Sequence, residues 1–186
     1  MNPSVSSLLS FLPPHSFVMG KGKSTPQETL VSSGMECPFC GDRSHHAEMT
    51  GSPGADVVFL VESESFKNSK EEQLLAKICE AMKIAPEQAA VLVRSPGVLG
   101  DWSSCMPFQW KELKLRGPRI LIALGQGIGS FFLQGSESPS RLRGVIHKRF
   151  DLNILVTEEL TGMIENPNLK KQAWEDLKLA LKIIKV

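Results

Sequence analysis

Four short, unbroken apolar runs constrain this chain more than any other feature: Val57-Val58-Phe59-Leu60-Val61, Ala90-Val91-Leu92-Val93, Ile120 to Leu124, and Ile154-Leu155-Val156. A strand with one wet face alternates apolar and polar residues, whereas a continuous run suits a strand buried on both faces. Segments with helical spacing lie between the runs. Ser69 to Ile84 carries Leu74, Leu75, Ile78 and Met82 on one side, with Ser69 placed to cap it and Glu71 and Glu72 at its positive end. Shorter helices are expected over Pro107 to Leu115 and Ile128 to Leu133, and a long one from about Asn168 to Lys185. Strand and helix in alternation predict an α/β fold: a three-layer α/β/α sandwich around a central, mainly parallel four-stranded sheet with right-handed crossovers. Ligands of such sheets sit at the carboxyl ends of the strands. Those ends are residues 62–66, 94–97, 125–127 and 157–160.

At 186 residues, 41% hydrophobic and 22% charged, the chain can bury one sizeable core. Met1 to Glu36 is rich in Ser, Pro, Gly and Thr and reads as an N-terminal arm, leaving 37–186 as the folded domain. No apolar run approaches the roughly 20 residues of a membrane span. Pro13 and Pro14 interrupt the mildly apolar start, which has no basic region of the kind that opens a signal peptide. Net charge is only +1. Between Cys105 and Phe150, however, eight Lys or Arg stand against Glu112 and Glu137, a local net of +6. Such a stretch is either a phosphate footprint or a solvated basic face.

Four cysteines including Cys37-Pro38-Phe39-Cys40-Gly41 point to metal or redox chemistry in a reducing compartment, hence the cytoplasm. Two thiolates on one tight turn are half of a tetrahedral site. His45 and His46 lie close by and would suit zinc. Gly125-x-Gly127-x-Gly129 follows a strand and opens a helix, but its spacing is not that of a dinucleotide-binding turn. The sequence also contains no phosphate loop, nucleophile elbow or HExxH pair.

Three segments in order carry a family resemblance: RILIALGQGIGSFFLQG at 119–135, SRLRG at 140–144, and NPNLKKQAWEDLKLAL at 166–181. Together they resemble the C-terminal half of the iron–sulfur uracil-DNA glycosylases, family 4, and the likeness extends over about Cys37 to Val186. The resemblance implies a glycosylase-like sandwich and a four-iron four-sulfur cluster. Cys37, Cys40 and Cys105 match three of the family's ligands, while Ser95 stands at the remaining one. A cluster with an unusual fourth ligand, a zinc site, and a vestigial site without metal all follow from that pattern.

The resemblance also places the catalytic positions. The family's GEAPG loop aligns with Val61-Glu62-Ser63-Glu64-Ser65, keeping Glu62, adding Glu64 and losing both glycines and the proline; the family's loop with the base-stacking phenylalanine has no counterpart, and Phe66 is the only aromatic nearby. Val91 replaces the asparagine that reads the uracil edge, which removes its hydrogen bonds. Glu159 falls where the family has the histidine that steadies departing uracil. An anion about 4 Å from that developing charge, at an effective dielectric near 20, contributes about 4 kcal/mol with the wrong sign. Arg141, Arg143, Lys148 and Arg149 are the residues expected to track a DNA backbone. The resulting expectation is a DNA-binding or DNA-repair-associated module without standard uracil excision. Its alternatives are an active N-glycosylase of altered lesion specificity and a structural protein-interaction module.

Overall fold

The computed structural model describes residues 48–94, 110–111, 113–133 and 139–185. The N-terminal arm at 1–36, both histidines at 45 and 46, and Cys37, Cys40, Ser95 and Cys105 all lie outside them. The strands are β1 (Glu48–Gly51), β2 (Val57–Glu62), β3 (Ala89–Arg94), β4 (Ile120–Leu124), β5 (Ile146–Arg149) and β6 (Leu152–Thr157). The helices are α1 (Lys70–Met82), α2 (Gln126–Leu133), α3 (Pro139–Leu142), α4 (Leu160–Glu165) and α5 (Pro167–Ile184). Residues 110–111 and 113–116 are also helical, at the C-terminal end of the short helix expected there.

The fold is α/β, but the sheet is six-stranded and mixed, in the order β1-β3-β2-β4-β6-β5, rather than four-stranded. The four apolar runs form its central strands, all mutually parallel. The two further strands, EMTG and IHKR, pair antiparallel at the two edges. Edge strands are commonly short and polar because one side of their ladder faces water. That composition is why neither announces itself as an apolar run.

Alternate side chains of the central strands enter two separate cores, as the pleat requires. Val57, Phe59 and Val61 pack with Leu74, Leu75 and Ile78 of α1 and with α4 and α5. Val58 and Leu60 pack on the opposite face with Ile128 and Phe132 of α2 and with Trp110 and Leu113. Helices therefore cover both faces.

Of the local signals, the Ser69 cap was expected, and the others emerge from the structure. The Ser69 hydroxyl accepts from the Glu72 amide at 3.1 Å and starts α1. The Asn166 side chain accepts from the Asn168 amide at 3.0 Å, and Pro167 opens α5, where a missing N–H costs nothing. Gly129 lets α2 lie close on β6: a Cβ there would stand 2.6 Å from Val156 Cγ1.

Because β2 lies between β3 and β4, the chain leaves it to one side for β3 and then crosses to the other side for β4. The carboxyl ends of β2 and β4 thus flank a topological switch point, where open α/β sheets hold their ligands.

Candidate functional site

At this crevice the end of β2, the Gly125 turn that starts α2 and the segment after β6 that starts α4 come together. Glu62 ends β2 beside Arg94, its register partner at the end of β3, and their side chains pair at 3.5 Å. The Arg94 guanidinium also lies 5.3 Å from the Phe131 ring centroid on α2. Glu62 approaches the first turn of α2 as well, since a Cβ at Gly127 would be 3.6 Å from its Oε2. A helix start favours a carboxylate there.

The loop after β2 is firmly held. Ser63 is buried, and its amide donates to the Arg94 carbonyl at 2.7 Å. The Glu71 carboxylate accepts from the hydroxyls of Ser63 and Thr161, each at 2.5 Å, joining this loop to the start of α4. Glu64 is exposed one residue beyond Ser63 and outside the strand, so it does not form a facing pair with Glu62.

Phe66 does not present a stacking face. It is 7% exposed and packs into the core beneath α1. With Leu75, Cys79, Ile84 and Val91 it lines a small pocket that is apolar except for Glu72. Phe66 and Val91 thus meet beneath α1, in a pocket whose lining includes none of the crevice residues Glu62, Gly125, Gly127 or Glu159. Cys79 in that pocket is a core residue, and burial pushes its thiol up to about 12.

Glu159 is exposed at the N-terminal end of α4, and a Cβ at Gly125 would lie 3.4 Å from its Cβ. The acid thus stands beside the glycine turn that leads into α2, at the same crevice as Glu62. Its exposure lets water screen it. Its repulsion of a nearby anion therefore falls toward about 1 kcal/mol at 4 Å.

The four expected DNA-contact residues do not form one track. Arg143 is joined to β6, where it makes an isolated bridge with Val156 at the carboxyl end. Its guanidinium pairs with Glu158, lies 3.3 Å from Asp176 Oδ2, and donates to Gln172 at 2.6 Å. Asp176 is 5% exposed and accepts from Thr157 at 2.8 Å. Burial raises its carboxyl above the ordinary aspartate value, with the Thr157 hydrogen bond and then Arg143 working against that rise. Gly144, at φ +71°, brings the chain so near that a Cβ would sit 3.1 Å from Asp176 Oδ1. The RLRG turn is thus a clasp between β6 and α5.

Arg141 is exposed near that clasp. Lys148 and Arg149 pair with Asn153 and Leu152, at the opposite end of the sheet. Arg149 donates to the Leu133 carbonyl at 2.8 Å, whereas the Lys148 side chain is exposed. Spacing along the sequence had hidden this split, because a two-residue hairpin carries the chain back along β6.

Sequence reasoning also missed Asp176. Its signal was present: Ala173, Asp176, Leu177 and Ala180 are the buried residues of α5, so a carboxylate sits on the apolar stripe of that helix.

Among the described residues no group of three or more His, Cys, Asp or Glu could hold a metal, and no helix is long and apolar enough to cross a membrane. No protein-family model and no curated protein matches the chain in sequence comparison.

Proposed function

We propose that this chain is a diverged member of the uracil-DNA glycosylase superfamily, with that family's α/β/α sandwich extended by two edge strands. In this reading it has lost standard uracil excision and serves as a DNA-binding, DNA-repair-associated module. One observation carries the loss of chemistry: the crevice carboxylates are Glu62, already paired with Arg94, and Glu159, an anion beside the Gly125 turn where departing uracil would need a positive or neutral donor. Exposed Arg141 and Lys148 supply charge for a backbone contact.

Labelled single- and double-stranded oligonucleotides with and without uracil test this proposal. A gel shift that weakens with salt, with no alkali-sensitive breaks, is the expected outcome. Breaks at uracil would instead support an active glycosylase. Neither binding nor breaks would support a protein-interaction module.

The proposal keeps Cys37, Cys40 and Cys105 as ligands for a four-iron four-sulfur cluster or zinc. A visible absorption band with iron, or colourless protein with stoichiometric zinc, distinguishes the two. Metal-free protein would mark the site as vestigial.

A further inference from the structure

The β5–β6 hairpin turns through Phe150 and Asp151, flanked by the paired residues Arg149 and Leu152. Both turn residues have positive φ, 47° for Phe150 and 67° for Asp151, the pattern of a type I′ turn. Asp tolerates this region, but a bulky aromatic there is an outlier where Gly or Asn would be at ease. Phe150 is also 47% exposed, so core packing does not explain the choice. Strain of this kind collects at functional positions, because elsewhere a less strained residue would serve the fold better.

What surrounds the ring gives it a use. Lys114 Nζ lies 4.8 Å from its centroid and the Arg149 guanidinium 5.1 Å. Trp110 meets it edge-on at 5.2 Å. Trp110 is 4% exposed, and its indole N–H finds no acceptor among the described residues. The indole is part of the core, so Trp110 braces the Phe150 ring from the inside rather than meeting solvent. Lys148 adds a further exposed cation on β5, while Asp151 is the carboxylate in the turn.

We infer that Phe150, Lys114 and Arg149, with Trp110 bracing the ring from the core, form a contact site for single-stranded nucleic acid. A base packs against the Phe150 ring, and a phosphate sits by the two cations. Lys114, held over the ring by a cation–π contact, can turn onto a phosphate, while Arg149 keeps its hydrogen bond to the Leu133 carbonyl and adds positive charge beside it. Aromatic stacking with neighbouring positive charge is how single strands are held without sequence preference. The site lies at the amino ends of the central strands. It is about 17 Å along β6 from the crevice, so it is separate from the site described there. The inference rests on the nucleic-acid-binding reading but assigns the contact to different residues.

Fluorescence anisotropy with a labelled oligothymidylate at low salt tests it, using the full chain. Phe150→Gly removes the ring and gives the turn a residue suited to positive φ. Phe150→Leu keeps apolar bulk against Trp110 and removes only the aromatic face. Both are expected to weaken binding at least fivefold while the thermal midpoint stays near the parent's. Lys114→Gln should weaken binding and lower the slope of log affinity against log salt by about 1. Arg141→Gln, at the other end of the sheet, should change oligothymidylate binding less than either. If both Phe150 variants bind as tightly as the parent, this site is overturned while the broader reading stands. If the parent binds no oligonucleotide at all, both fall.

Discussion

Arg143→Met separates a structural arginine from a DNA-contacting one. The guanidinium lies 3.3 Å from Asp176 Oδ2, which at an effective dielectric near 20 corresponds to about 5 kcal/mol of gross attraction. Much of that offsets desolvation in the parent. Removing one partner, however, leaves the other charge buried and unpaired, and such losses run about 3–5 kcal/mol. Asp176 can escape part of the cost by taking a proton, so about 3 kcal/mol near pH 7 is expected. That equals a fall of about 6–12 °C in the thermal midpoint for a chain of this size.

The pH dependence follows from the direction of the Asp176 shift. Its folded value is raised by burial, so its own contribution to stability is fully present below the unfolded value and is lost as pH rises through the folded one. Deleting Arg143 removes an opposing attraction and raises the folded value further. The gap between variant and parent should therefore widen from pH 4 to pH 8. Adding Asp176→Asn removes the unpaired charge and should recover much of the loss. Urea and thermal unfolding followed by circular dichroism and tryptophan fluorescence give all of these values. A deficit under about 0.5 kcal/mol, or one equal at pH 4 and pH 8, would refute the clasp. Kept below its midpoint, the variant should still bind oligonucleotides.

Gly129→Ala should destabilise by about 1–3 kcal/mol, because its methyl would meet Val156 at 2.6 Å and must push α2 off β6; chemical denaturation measures it. Cys79, with its thiol pushed up to about 12 and 6% exposed, should resist iodoacetamide in the native protein and react once unfolded, as read by peptide mass spectrometry.

The central sheet was legible because its strands are apolar throughout, and α1 and α5 because Ser69, Pro167 and their buried stripes agree with one another. The edge strands were not, since EMTG and IHKR draw their definition from a neighbour's ladder rather than from their own composition. At the site, Glu62 and Glu159 could be placed at strand ends from the sequence. Their partners could not: Arg94 meets Glu62 through strand register, and Glu71 reaches Thr161 across 90 positions. The two acidic neighbours of Arg143 were not legible either, because Glu158 follows β6 and Asp176 lies on α5, and only folding brings them to it.

Single-turnover release of free uracil, quantified by mass spectrometry from a uracil-containing single strand, bears most directly on the account. On the proposed reading, purified protein should bind the strand and release no more uracil than a protein-free control, because Glu159 would set an anion against the charge of a departing base. Stoichiometric uracil release, abolished by Glu62→Gln, would contradict it.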